Sequence, residues 1–197
     1  QLNKNSHLTI LSIGYLFIAI LTFFHMSTYS GMSIIHNLSP NPTTQFWIAA
    51  RYLEIITYII AISTVGYKLN KSQLKLIIGG YTAVTGITII TILVYPIFPI
   101  CFEPNSGLTA FKIYSEYLII AMSFIVIYQL YKKKDQLNSY TIKYFLLAMA
   151  MTIFSEIAFT LYTQVYGIFN FIGHFFYVTS MYIIYRIIVK EGLLKPQ

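Results

Sequence analysis

Residues 44–67 read TQFWIAARYLEIITYIIAISTVGY, and this stretch decides how the whole chain is interpreted. It is long enough to cross a membrane, because a span needs ~20 mostly apolar residues. Its only charged residues are Arg51 and Glu54. Charged groups inside a bilayer are costly and usually face a protein interior, a cavity or a partner. The stretch therefore predicts a transmembrane helix whose two charges face away from lipid.

The composition extends this interpretation to the full chain of 197 residues. The chain is 57% hydrophobic and only 10% charged, whereas a soluble domain carries about 25% charged residues. We predict an all-α integral membrane fold, a bundle of about six transmembrane helices forming one domain over residues 1–197, with no room for a soluble catalytic domain. The predicted spans are 8–29, 44–67, 75–98, 109–131, 141–163 and 171–190.

Turn-forming residues separate several of these spans, as expected for the connections between helices. The predicted connections contain Ser39-Pro40-Asn41-Pro42, Pro99, Pro104 to Gly107, Asp135 to Ser139, and Gln164 to Asn170. The chain starts at Gln1 rather than Met, so we expect further sequence upstream.

The distribution of basic residues predicts the orientation, because Lys and Arg in short loops stay on the cytoplasmic side. One side of the predicted bundle holds only Arg51 and Lys112, both within spans. Both ends of the chain are therefore predicted to be cytoplasmic, and the formal charge of +7 reflects topology rather than nucleic-acid binding. The basic residues of the cytoplasmic side are Lys4, Lys68, Lys71, Lys75, Lys132, Lys133, Lys134, Lys143, Arg186, Lys190 and Lys195.

Seven polar residues are predicted to lie in one layer, in the outer half of the bilayer. Arg51, for example, lies seven residues inside its predicted span, which is ~10 Å at ~1.5 Å per residue. One interpretation is that the pairs Arg51–Glu54 and Lys112–Glu116 neutralise themselves along one helix face. The other is an interhelical network that lines an outward-open pocket and favours a small ligand or a cation. The seven residues are His25, Arg51, Glu54, Lys112, Glu116, Glu156 and His174.

Two members of this layer also suggest a cofactor. His25 and His174 lie on different predicted helices, and histidine ligates haem iron and metal ions. Haem or a metal ion is therefore one hypothesis for the pair, and hydrogen-bonded interfacial histidines are the alternative. A single cysteine, Cys101, excludes an intramolecular disulfide.

The order and spacing of several segments resemble the type-three membrane-associated sensor family over nearly the whole chain. Two positions depart from the family pattern: Thr22 stands where an acidic residue is common, and Ser30 where a basic residue is common. Both departures weaken a metal or proton role for His25. The segments that carry the resemblance are His25 to Met32, Ala49 to Glu54, Leu108 to Tyr117, Ser155 to Tyr162, and Tyr166 to His174.

The resemblance implies a multi-pass sensory domain of a bacterial or archaeal inner membrane, with at least one further span upstream of this chain. Because the sequence has no soluble-enzyme motif, we do not expect an enzyme. Such sensory domains precede cytoplasmic output modules such as histidine kinases or diguanylate cyclases, which usually work as dimers, so a homodimer is plausible. The last helix would relay the signal from the polar pocket to the output module. The competing hypotheses are a haem- or metal-binding redox protein and a small transporter, although no inverted repeat supports a transporter.

Overall fold

The computed structural model describes residues 6–29, 31–32, 34–35, 39–161 and 167–192. Several residues named above lie outside this part of the chain, namely Lys4, Ser30, Tyr162, Gln164, Tyr166 and Lys195. Within the described residues, six helices are long and apolar enough to cross a membrane, as predicted. They are α1 (Ser6–Ser27), α2 (Pro40–Ser63), α3 (Lys71–Ile89), α4 (Ala110–Lys132), α5 (Ser139–Leu161) and α6 (Ile168–Gly192).

Three short elements connect these helices. A π-helical turn, Ile90–Val94, extends α3 and completes its span. A small antiparallel hairpin follows, with β1 at Phe102–Glu103 and β2 at Gly107–Leu108. The predicted turn Pro104 to Gly107 joins these two strands, and Gly107 has a φ of 81°. A 3₁₀ turn, Lys134–Gln136, lies between α4 and α5.

The four predicted boundaries of the second and third helices all differ from the structure, and proline explains two of them. The other two are the end of α2, at Ser63 instead of residue 67, and the start of α3, at Lys71 instead of residue 75. Pro40 to Pro42 were predicted as a turn, but they form the first turn of α2. Proline is tolerated there because its missing N–H would have no helical partner in any case. The third helix was predicted to reach residue 98, but it ends at Val94. Tyr95 is extended (φ −118°, ψ 93°) because the following Pro96 disfavours helical backbone.

The start of α6 also differs from the prediction, which placed it at residue 171. The connection before it was predicted to run to Asn170, but the helix already includes Ile168 to Asn170. Phenylalanine and isoleucine in this stretch continue the apolar helix without a proline or a helix-ending glycine.

The chain divides into two compact units. The α1–α3 unit comprises Ile13–Glu54 and Lys71–Ser115, and therefore also contains the β-hairpin and the first residues of α4. Its core contains two stacked ring pairs, Phe17 on Tyr81 at 5.5 Å between centroids and Phe24 on Phe46 at 5.4 Å. The other buried members of this core are Ile18, Leu21, Ala50, Leu53 and Ile92.

The α5–α6 unit comprises Gln1–Ser12, Ile55–Asn70 and Glu116–Gln197. In this unit, α5 and α6 approach each other closely at Gly173, where an added Cβ atom would lie 2.7 Å from the Phe159 ring. Small residues let membrane helices approach closely, and dispersion then stabilises the pair. Tyr58 packs edge-on against Phe145 in the same unit, with ring centroids 5.3 Å apart.

Candidate functional site

Five acidic or basic side chains within the described residues are buried, each with at most 1% of its surface exposed. They are the five that the sequence analysis singled out: Arg51, Glu54, Lys112, Glu116 and Glu156. The two predicted histidines, His25 and His174, are half-buried. His25, Arg51, Glu54 and Lys112 belong to the α1–α3 unit, and Glu116, Glu156 and His174 belong to the α5–α6 unit.

The revised start of α2 changes the position of its charges along the helix. Arg51 lies eleven residues after Pro40, which is about 16 Å at ~1.5 Å per residue. The predicted span began at residue 44, seven residues before Arg51, so the prediction placed Arg51 four residues too close to the start of the helix. Arg51 and Glu54 therefore lie at the centre of a 24-residue helix.

Arg51 and Glu54 form an ion pair along one face of α2, as their i, i+3 spacing predicts. Arg51 donates through Nη1 to Oε2 of Glu54. The other carboxylate oxygen, Oε1, accepts a hydrogen bond of 3.2 Å from the Tyr15 hydroxyl on α1. Trp47, one turn earlier on α2, places its ring 5.8 Å from the Arg51 guanidinium carbon. The carboxylate thus receives a charged and a neutral donor in a buried environment, where both interactions are stronger than in water.

His25 lies beside the same tryptophan, with ring centroids 5.2 Å apart. Its Nδ1 atom is 2.8 Å from the Thr43 carbonyl oxygen, and since a carbonyl can only accept, Nδ1 carries the proton. The Thr43 hydroxyl donates in turn to the Thr28 carbonyl at 2.7 Å, so the end of α1 and the start of α2 are bonded together. We call Tyr15, His25, Trp47, Arg51 and Glu54 the Trp47 cluster.

Sequence reasoning missed two members of this cluster. Trp47 had a usable signal, because it precedes Arg51 by four residues and therefore lies on the same helix face. Tyr15 had none, since it is 39 residues from Glu54 and only tertiary packing brings the two together.

Lys112 is held at the start of α4 by the geometry of the helix cap. The Thr109 hydroxyl accepts from the Lys112 main-chain N–H at 3.4 Å and donates to the Ile100 carbonyl at 2.6 Å. Threonine is a favoured N-cap residue for this reason. The cap fixes the first turn of α4, and the lysine side chain is buried there.

In the α5–α6 unit, polar contacts connect α5 and α6 around Glu156. The Ser155 hydroxyl donates to the Gly173 carbonyl at 2.9 Å, and Phe159 packs edge-on against His174 at 5.0 Å. Two turns further along α6, Ser180 lies 2.9 Å from the Thr152 hydroxyl and donates to the Ala148 carbonyl at 3.0 Å. Glu156 and His174 thus lie next in sequence to Ser155 and Gly173, which connect the two helices.

The hydrogen bond of His25 has the form found at metal-ligating histidines, where the second ring nitrogen donates to a carbonyl or carboxylate. However, the described part of the chain contains no group of three or more His, Cys, Asp or Glu side chains arranged to hold a metal ion. The metal or haem role of His25 and His174 stays a prediction, and so does ligand binding by the other five residues.

The sequence profile of the membrane-associated sensor domain MASE3 matches residues 1–196. No curated protein and no solved structure matches the chain.

Proposed function

The chain belongs to the MASE3 family of membrane-associated sensor domains, and we propose that it is the signal-input domain of a membrane receptor. Its polar residues would bind a small ligand or a cation, and α6 would relay the change to a cytoplasmic output module such as a histidine kinase or a diguanylate cyclase. With six membrane-length helices among its described residues, the chain is a multi-pass membrane protein. The sensor family points to a non-catalytic role.

The observation that carries this proposal is the complete burial of charged groups in apolar helices. Arg51, Glu54 and Glu156 could each be replaced by an apolar residue if packing were their only task. Charges inside membrane spans are expensive, and they mark binding or relay sites by default. In the α1–α3 unit, the Trp47 cluster combines a cation, a carboxylate and three polar aromatic groups, which suits recognition of a small polar ligand or a cation.

The relay is supported by three contact levels between α5 and α6. Ser155 bonds to Gly173 near the start of α6, and Thr152 bonds to Ser180 in the middle. At the far end, Asn138 donates to Glu191 at 2.6 Å. A ligand shifts an equilibrium only through different affinities for two states. A ligand-dependent change at Glu156 or His174 would therefore alter the first contact and bias the others along α6.

Cations stacked on tyrosine rings support a cytoplasmic position for the carboxyl end of α6. Such amphipathic pairs are typical of the membrane interface, and an excess of Lys and Arg marks the cytoplasmic side. The proposed location is the bacterial inner membrane, and the proposed assembly with an output module is a homodimer. The pairs in the α5–α6 unit are Lys132–Tyr128, Lys133–Tyr67, Lys134–Tyr131, Arg186–Tyr182 and Lys190–Tyr140.

The test joins the chain at its carboxyl end to a diguanylate cyclase in bacterial membranes and measures cyclic dinucleotide output. Glu156→Gln and His174→Ala are expected to shift the output. The matched controls, Ile157→Ala and Phe175→Ala, change exposed neighbours on the same helices and should leave it unchanged. Unchanged output in both test variants, at normal protein levels in the membrane, would overturn the proposal.

A further inference from the structure

An irregular segment after α3 exposes several apolar side chains. Residues 95–100 read YPIFPI and contain no charged residue. Three of the six side chains are strongly exposed: Ile97 at 76%, Tyr95 at 65% and Ile100 at 54%. A loop in water normally exposes polar side chains instead, because exposed isoleucine gains nothing from water.

The backbone of the same segment is bonded to the protein rather than left open. The Gln45 side-chain amide on α2 donates to both the Phe98 and the Pro99 carbonyl oxygens, each at 2.9 Å. One turn earlier on α2, Oδ1 of Asn41 accepts from the main-chain N–H groups of Cys101 at 2.8 Å and Phe102 at 3.0 Å. Two side chains of α2 therefore bond to four backbone groups, two at the end of the segment and two in the residues that follow it.

The remaining bonds come from α3 and the cap of α4. The Thr91 carbonyl accepts from the N–H groups of Ile97 at 3.1 Å and Phe98 at 3.2 Å. Thr109 donates through its hydroxyl to the Ile100 carbonyl at 2.6 Å and through its N–H to the Cys101 carbonyl at 3.1 Å. Three of the four main-chain N–H groups and four of the six carbonyl oxygens of the segment are thus hydrogen-bonded within the protein, while its apolar side chains are exposed.

This combination is what a lipid environment requires of non-helical backbone. Hydrocarbon offers no hydrogen-bond partner, so irregular backbone is tolerated at membrane depth only where the protein satisfies it. Water imposes no such requirement, since it bonds to exposed N–H and C=O groups itself. Exposed apolar side chains on a largely hydrogen-bonded backbone therefore favour lipid over water as the surroundings of the segment.

We propose that residues 95–100 insert into the lipid bilayer as an irregular membrane-embedded segment, with Asn41 and Gln45 as the side chains that make the insertion possible. The segment continues directly from Val94, which is 60% exposed at the end of a membrane-length helix. The exposed residues Pro104 to Ser106 at the turn of the hairpin have the polar character of a water-facing tip.

The test measures the depth of a nitroxide label in the full chain reconstituted into vesicles of phosphatidylethanolamine and phosphatidylglycerol. A Cys101→Ala background carries the label at Ile97, at Ile87 on the exposed face of α3, or at Asn105 in the hairpin turn. The measured quantity is the ratio of label collisions with oxygen, which concentrates in lipid, to collisions with a water-soluble nickel complex. We expect this ratio at position 97 to equal the ratio at position 87. A ratio at position 97 equal to that at position 105 would overturn the proposal.

A second measurement avoids the change at Cys101. A photoreactive phenylalanine analogue at position 97 should cross-link to lipid acyl chains on irradiation, whereas the same analogue at position 105 should not. Cross-linking to lipid at neither position would contradict insertion.

The role of the Gln45 side chain in insertion is tested in the labelled protein. Gln45→Leu removes the donor to two carbonyl groups, which then need water, so the label at position 97 should shift towards the nickel-accessible range. Ser106→Ala is the control, because it changes only the hairpin tip, where Ser106 bonds to Glu103. A label that stays at its original depth in Gln45→Leu would show that Gln45 does not enable insertion.

Discussion

Ser155 on α5 donates a hydrogen bond of 2.9 Å to the main-chain carbonyl of Gly173 on α6. The carbonyl is accessible to a neighbouring helix because glycine has no side chain, and the Phe159 ring fills the space that a Cβ atom would occupy. The packing of Phe159 on Gly173, the hydrogen bond of Ser155 and the buried carboxylate of Glu156 therefore lie close together along α5.

Gly173→Ala should destabilise the protein. The added Cβ would lie 2.7 Å from the Phe159 ring, and overpacking of this kind costs about 1–3 kcal/mol of unfolding free energy. Gly86→Ala on α3 is the matched control, because no atom lies within 4 Å of its Cβ position. The control should be neutral or slightly stabilising, since alanine is the better helix former. Thermal unfolding in detergent measures both, and equal midpoints for the two variants would contradict the close contact.

Removing one partner of the Arg51–Glu54 pair should cost more than removing both. Glu54→Leu leaves a buried guanidinium without its carboxylate, which typically costs about 3–5 kcal/mol. Arg51→Met combined with Glu54→Leu should recover most of that loss, because neither charge remains in the core. Tyr15→Phe removes only the neutral donor and should cost about 1 kcal/mol.

The free energies of unfolding of Arg51→Met, of Glu54→Leu and of the double variant form a double-mutant cycle with the native chain. A double variant as unstable as the sum of the two single variants would show that the pair carries no coupling energy.

Asn138 performs two tasks that substitution can separate. Its Oδ1 accepts from the Thr141 N–H at 2.8 Å and caps α5, while its Nδ2 donates to Glu191 on α6. Asn138→Ala loses both and should cost about 1 kcal/mol of stability through the cap. Asn138→Asp keeps the cap but places a carboxylate against Glu191. We expect both variants to change the output of the cyclase fusion, and only the alanine variant to lower the unfolding temperature. A normal output from Asn138→Asp would show that the Glu191 contact has no part in the relay.

Trp47 is the only tryptophan of the chain, so its fluorescence reports directly on the Trp47 cluster. Its ring is 5% exposed and lies 5.2 Å from that of His25. His25→Ala should change the emission intensity and shift the emission to longer wavelength, because removing the imidazole opens one side of the indole ring. The control Met26→Ala alters an exposed neighbour on α1 and should leave the spectrum unchanged. Identical spectra for His25→Ala and the native chain would contradict the ring contact.

The membrane helices could be predicted because their signal is local. An apolar run of about 20 residues predicts a span wherever it lies in a protein, and the spacing of Arg51 and Glu54 predicts their pairing within one helix. The errors at Pro40 and Pro96 have a local cause too. Proline is tolerated in the first turn of a helix but ends a helix that reaches it from the N-terminal side. Pro40 was predicted to lie in a loop but starts α2, and Pro96 was predicted to lie in a helix but follows its end.

Tertiary structure alone decided which residues meet across the chain. Tyr15 reaches Glu54 across 39 residues, Gln45 reaches Phe98 across 53, and Asn138 reaches Glu191 across 53. No periodicity or spacing rule connects such positions, because their contact depends on how the helices pack. The sequence by itself determined six apolar helices and the identity of the buried charges. The partners of those charges, and the bonds that hold an apolar loop in place, were decided only by the fold.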